Sequence, residues 1–181
     1  RFLSKNKVGE STQMEILSAK ILKFCVVPRG LESLRWLLKQ PSFNGLRTGL
    51  LPAFRKATET GALPQLELLF SRGIKPDEPL PSDPEGAGAR PAKLADAPGE
   101  TALMIAAKKG HREVVDWLLK KGANPEQTDN CSNTVLLKAV ISNRGNRRLY
   151  DSLLFFVPWR RRGDYVNLKN KYGLTPMFSL A

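Results

Sequence analysis

The sequence predicts an all-α solenoid of paired antiparallel helices with protruding loops. Three observations lead there. Residues 99–131 read as two short helices and a turn, the pattern restarts at Thr134, 33 residues after Thr101, and glycines stand where the helices should stop. Helix pairs recurring at such a period mark a stacked architecture, in which each unit buries its apolar stripe against its neighbours.

The central unit is the most legible. Thr101 can cap a first helix whose apolar positions Leu103, Ala106 and Ala107 follow helical spacing. Gly110 ends it, because glycine enters the left-handed conformation without a steric penalty. In the second helix Val114, Val115, Trp117, Leu118 and Leu119 turn inward, while Arg112, Glu113, Asp116 and Lys120 face water; Gly122 stops it. This unit resembles the ankyrin repeat, with its Gly-x-Thr-Pro-Leu-His-x-Ala-Ala, Gly-His-x-Glu-Val-Val, Leu-Leu-Leu and Gly-Ala-Asp/Asn segments. Gly99, Thr101, Leu103, Ala106, Ala107, Gly110, His111, Glu113, Val114, Val115, Leu118, Leu119, Gly122, Ala123 and Asn124 match. Ala102 and Met104 stand where the family has Pro and His, so the hydrogen bonding of that His is lost.

The flanking units emerge by comparison with this one, and the chain is expected to be a single ankyrin-repeat domain over 1–181. Its first thirteen residues are polar. A helix is expected over 14–27, broken by Pro28-Arg29-Gly30, and residues 30–44 repeat the second-helix pattern through Leu34, Leu37 and Leu38, giving a divergent unit at 14–44. In the unit at 50–76, Phe54, Ala57, Gly61, Leu66, Leu69 and Gly73 each precede their counterparts in the central unit by 49 residues. Pro64 falls in the first turn of its second helix, where a missing N–H is tolerated. The excess spacing is taken up by residues 77–98, an acidic, proline-rich insert that cannot assemble a core and is expected to be flexible. In the unit at 132–167, Thr134, Leu136, Ala139 and Val140 make a first helix, and Asn143 to Arg148 a basic turn. Leu149, Tyr150, Leu153, Leu154, Phe155 and Phe156 continue as a second helix up to Pro158. Asp164-Tyr165-Val166-Asn167 resembles, with changes, the family's Gly-Ala-Asp-Val-Asn. A last unit, 170–181, opens with Gly173-Leu174-Thr175-Pro176 and stops inside its first helix, which leads to the expectation of a fragment of a longer array or a truncated gene product.

Composition narrows the function. No apolar run approaches the roughly 18 residues of a membrane span. Cys25 and Cys131 lie far apart without CxxC spacing, so an intracellular setting, cytoplasmic or nuclear, is expected. The net charge is +12, unevenly spread: residues 1–76 carry 13 basic and 5 acidic groups, 77–100 carry 2 and 6, and 101–181 carry 14 and 6. Two basic halves flank an acidic segment.

No enzymatic constellation is present, and the protein is expected not to be an enzyme. The single histidine, His111, reads as a structural residue near a turn, and one His with two distant Cys cannot complete a zinc site. Phosphate-binding glycine loops and the common hydrolase motifs are absent, so no cofactor or metal is expected. The ankyrin resemblance implies instead a protein-binding scaffold, contacting its partner through loop tips and the exposed side of the first helices. Carried over by position, these are Ile105, Lys108 and Lys109, then Lys138, Ile141 and Ser142. The tips supply Gln127, Thr128, Asp129 and Asn130, then Lys169, Lys171 and Tyr172. That concave face is mostly basic, which implies an acidic protein partner bound by a monomer. Two alternatives stand beside it. Arg144, Arg147, Arg148, Arg160, Arg161 and Arg162, with Trp159 adjacent, would attract nucleic acid or another anionic surface. The chain would also serve as a regulatory or targeting segment of a larger multidomain protein.

Overall fold

The computed structural model describes residues 30–39, 47–81, 99–142 and 146–180. The helix expected over 14–27, Cys25, residues 82–98 of the insert, and Arg144 lie outside them. The chain divides into two compact units, one ending at Ile74 and the other beginning at Lys75.

In the first unit, α1 (Leu31–Lys39) buries Leu34 and Leu38, one helical turn apart. Helix α2 (Arg47–Thr60) turns Leu50, Ala53, Phe54 and Ala57 into the core, a stripe at helical period. It starts three residues before the expected unit boundary and holds Pro52 inside it. Gly61, at φ +70°, reverses the chain into α3 (Leu63–Phe70), where Pro64 lies in the first turn and Leu66 and Leu69 are buried. Helix α3 packs against both α1 and α2. The Arg72 guanidinium donates to the Leu38 carbonyl, satisfying an acceptor at the end of α1 that the helix itself cannot.

The second unit contains α4 (Ala102–Lys109), α5 (Arg112–Lys120), α6 (Val135–Ser142), α7 (Arg147–Phe156), a 3-10 turn (Trp159–Arg161), α8 (Arg162–Val166) and α9 (Pro176–Leu180). Thr101 Oγ1 accepts from Met104 N at 3.4 Å to cap α4, and Gly110 leaves it at φ +78°. Helices α4 and α5 form one pair and α6 and α7 the next. First helices α4, α6 and α9 stack in one row, and second helices α5 and α7 in another. The two rows enclose Leu103, Ala106, Val114, Val115, Leu118, Leu136, Leu137, Val140, Leu149 and Leu153. Covered by α5 and α6, helix α4 is buried continuously from Ala102 through Ala107, more than the single inward stripe expected. The architecture is all-α; among the described residues the only β pairing is an isolated antiparallel bridge between Thr128 and Thr134. No described helix is long and apolar enough to cross a membrane.

Two segments differ from expectation. The start of the insert packs rather than leaving the surface: Leu80 is buried, its N–H donates to the Glu100 carbonyl at 2.8 Å, and Asp77 Oδ1 accepts from Asn124 N at 2.8 Å. The Asp164–Asn167 stretch, which resembles the family's Gly-Ala-Asp-Val-Asn with changes, largely folds into α8. That helix drops Tyr165 into the core, where its hydroxyl donates to the Pro125 carbonyl at 2.6 Å.

Candidate partner-binding surface

The loop tips are built by buried polar side chains. Asp129 Oδ1 accepts from Cys131 N at 2.9 Å and Asn133 N at 2.8 Å, and Oδ2 accepts from Asn133 Nδ2 at 2.9 Å. Asn170 does the same one repeat later, its Oδ1 accepting from Tyr172 N and Leu174 N, each at 2.9 Å. Both side chains therefore close a turn by capturing the N–H groups two and four residues on. The loops are also joined to each other: Asn170 Nδ2 donates to Asn133 Oδ1 at 2.8 Å, and Lys171 N donates to the Cys131 carbonyl at 3.0 Å. With their interior fixed, the tips present Thr128, Asn130, Lys169, Lys171 and Tyr172 to solvent. Gln127 is half-buried and donates to the Asp77 carbonyl at 3.3 Å.

Beneath the tips lies an ion cluster that sequence reasoning missed. The fully buried Lys138 places Nζ 2.5 Å from Glu100 Oε1 and 2.9 Å from Asp129 Oδ2, and Lys108 Nζ approaches the same Glu100 oxygen at 3.0 Å. Two ammonium groups meet two carboxylates, so the cluster is neutral. Burial pushes the Asp129 carboxyl upward, but hydrogen bonds from Asn133 and Lys138 outweigh it and hold the group below the ordinary value of 3.8. Lys138, Asp129 and Ile105 are therefore interior residues rather than contacts on the face. Ile105 lies on a helix covered from both sides, and the charges of Lys138 and Asp129 are spent on each other and on Glu100. Lys108 is half-buried and drawn inward; Lys109 and Ser142 are exposed and Ile141 half-buried. The surface formed by the loop tips and first helices is thus less basic than its residue types suggest.

The arginine-rich region is arranged differently from the expected turn. Arg147 and Arg148 begin α7, capped by Asn146, whose Oδ1 accepts from Leu149 N at 3.3 Å. Leu149, Leu153 and Val157, four residues apart, point inward and leave Phe155, Phe156 and Trp159 exposed. The Arg160 guanidinium lies 5.2 Å from the centre of the Trp159 ring. Arg161 pairs with Glu126 at 2.6 Å, and Arg162 Nε donates to the Val157 carbonyl at 3.2 Å. His111 precedes α5 and its backbone N–H donates to Ala106 at 3.0 Å; its side chain does not cap the helix. Among the described residues no three His, Cys, Asp or Glu side chains group as a metal site would require.

The stacked helix pairs and hydrogen-bonded tips define a repeat protein of the helix-turn-helix-loop kind. The ankyrin-repeat family matches residues 98–130. The chain is 27% identical over 127 residues to phosphocholine transferase AnkX of Legionella pneumophila, a match covering 70% of this chain and 11% of that protein. It is 31% identical over 86 residues to ankyrin repeat domain-containing protein 63 of Mus musculus, covering 46% of this chain and 20% of that one. Residues 98–130 thus form an ankyrin repeat, a kind of unit that indicates a protein–protein interaction module. The chain spans only a minor share of either relative's length.

Proposed function

We propose that the chain is a non-catalytic binding scaffold that takes an acidic protein partner on its loop tips and the adjoining exposed ends of its first helices. The observation that carries this reading is the pair of matched turns at Asp129 and Asn170. Recognition residues held in one geometry before binding lose little conformational entropy on association, which favours affinity. Asn130, Lys169, Lys171 and Tyr172 project from those turns and Lys109 is exposed at the C-terminal end of α4; three of these five are cations that an acidic contact would complement. The reading takes the scaffold as a monomer working inside the cell. Its test is a partner isolated by crosslinking and then titrated in purified form. Lys171→Ala with Tyr172→Ala should weaken that complex at least tenfold at an unchanged melting temperature. Unaltered affinity would remove the tips as the site.

A second reading is a regulatory or targeting segment within a larger protein. It is favoured by the two relatives, in each of which the matching region is a small part of the whole. Fusing the chain to a fluorescent protein tests it: distribution unchanged from the fluorescent protein alone would count against targeting.

A further inference from the structure

We infer that the turn after α7 is a docking site for an anionic lipid bilayer. Within the eight residues 155–162, Phe155, Phe156, Trp159, Arg160, Arg161 and Arg162 are all exposed, while Val157 is buried and ties the turn to the core. An apolar group of side chains therefore runs directly into a cationic one on one short, anchored segment. Phe155 is 75% exposed and Trp159 72%. Phe155 and Phe156 border an open depression with Arg112, Asp116, Arg148, Asp151 and Ser152, and aromatic side chains this exposed suit a soft surface that they can enter. Aromatic rings settle at the headgroup level of a bilayer, and neighbouring guanidinium groups pair with lipid phosphates and with the negative surface potential.

The geometry favours lipid over nucleic acid. Base stacking needs open, flat ring faces. Here Arg160 covers one face of Trp159, and the Phe155 and Phe156 rings meet edge to face, 77° apart with centroids 5.5 Å apart. Such a pair forms a wedge rather than two platforms for successive bases. Arg161 is partly neutralised by Glu126, so Arg160 and Arg162, with Arg148 on the same helix–turn segment, supply the attraction.

The test uses the 181-residue chain and sedimentation with vesicles of phosphatidylcholine alone or with about one third phosphatidylserine. The chain should bind the anionic vesicles and not the neutral ones. Each basic residue at such a surface is worth about fivefold in affinity, so Arg160→Ser with Arg162→Ser should weaken binding roughly 25-fold. Phe155→Ser, Phe156→Ser and Trp159→Ser together should weaken it at least tenfold. A charge-matched control, Lys39→Ser with Lys75→Ser, should bind as the parent does, and all variants should retain the parent's circular dichroism melt. The inference is overturned if anionic vesicles are not bound, if the aromatic variant binds as the parent does, or if the control loses as much as the arginine variant. It is also overturned if a single-stranded oligonucleotide, and not the vesicles, is bound in an aromatic-dependent way.

Discussion

Lys138 Nζ sits between Glu100 and Asp129, 2.5 Å from one carboxylate and 2.9 Å from the other, with no solvent exposure. Glu100 precedes α4 and Asp129 lies in the following loop, so one side chain of α6 binds two elements of the repeat before it. Removing one member of a buried pair strands the others without water. Lys138→Met is therefore expected to cost about 3 kcal/mol or more despite its similar volume. Chemical denaturation would measure this, and a loss below about 1 kcal/mol would mean that water reaches the cluster.

The same cluster makes stability depend on acid. Asp129 has its pKa depressed below the ordinary 3.8, so the folded state favours the ionised form more than the unfolded chain does. Its contribution is fully present above the unfolded value and is lost as pH falls through the folded one. Melting temperatures taken downward from pH 5 should fall, and the part due to this group should be absent in Asp129→Asn. Equal acid sensitivity in both proteins would place the effect elsewhere.

Gly99 combines two constraints. Its φ is +85°, and a Cβ there would lie 2.6 Å from Asn130 Oδ1. Gly99→Ala should destabilise by about 1–2 kcal/mol, from backbone strain plus the displaced side chain. Repeating the substitution in an Asn130→Ala background relieves the clash and leaves the strain. A smaller penalty in that background is the expected result of the double-mutant cycle.

The Tyr165 hydroxyl donates to the Pro125 carbonyl, and burial pushes its pKa well above the ordinary 10.0. Tyr165→Phe should cost about 1 kcal/mol, since it leaves that part-buried carbonyl without this donor. The raised pKa also predicts stability that holds below pH 10 and declines above it, as the unfolded chain gains by ionising. The Phe variant should lose this component of alkaline unfolding in a pH series of melts.

The helices and their ends were legible because their causes are local. Thr101 and Gly110 bound α4 through groups within a few residues, and the stripe at Leu50, Ala53, Phe54 and Ala57 declares its buried face by period alone. The candidate site was legible only in part. Pattern placed Ile105 and Lys138 on an open face, and Asp129 on a tip, but what covers them comes from other repeats. The partner of Lys138, Glu100, is 38 positions away, and no periodicity signals a pairing at that distance. Phe155 and Phe156 were hidden for the opposite reason. They extend an apolar run, and only the register set by Leu149, Leu153 and Val157 turns them outward.

Repeat arrays are commonly treated as strings of interchangeable parts, lengthened or shortened one unit at a time. The Glu100–Lys138–Asp129 cluster makes this joint keyed instead. A foreign repeat inserted after residue 131 would part Lys138 from both carboxylates unless it carried its own lysine at the same helical position and its own acids before and after the preceding helix pair. Shuffling at this boundary should therefore fail in the generic case, and succeed when the lysine and its two acids travel together.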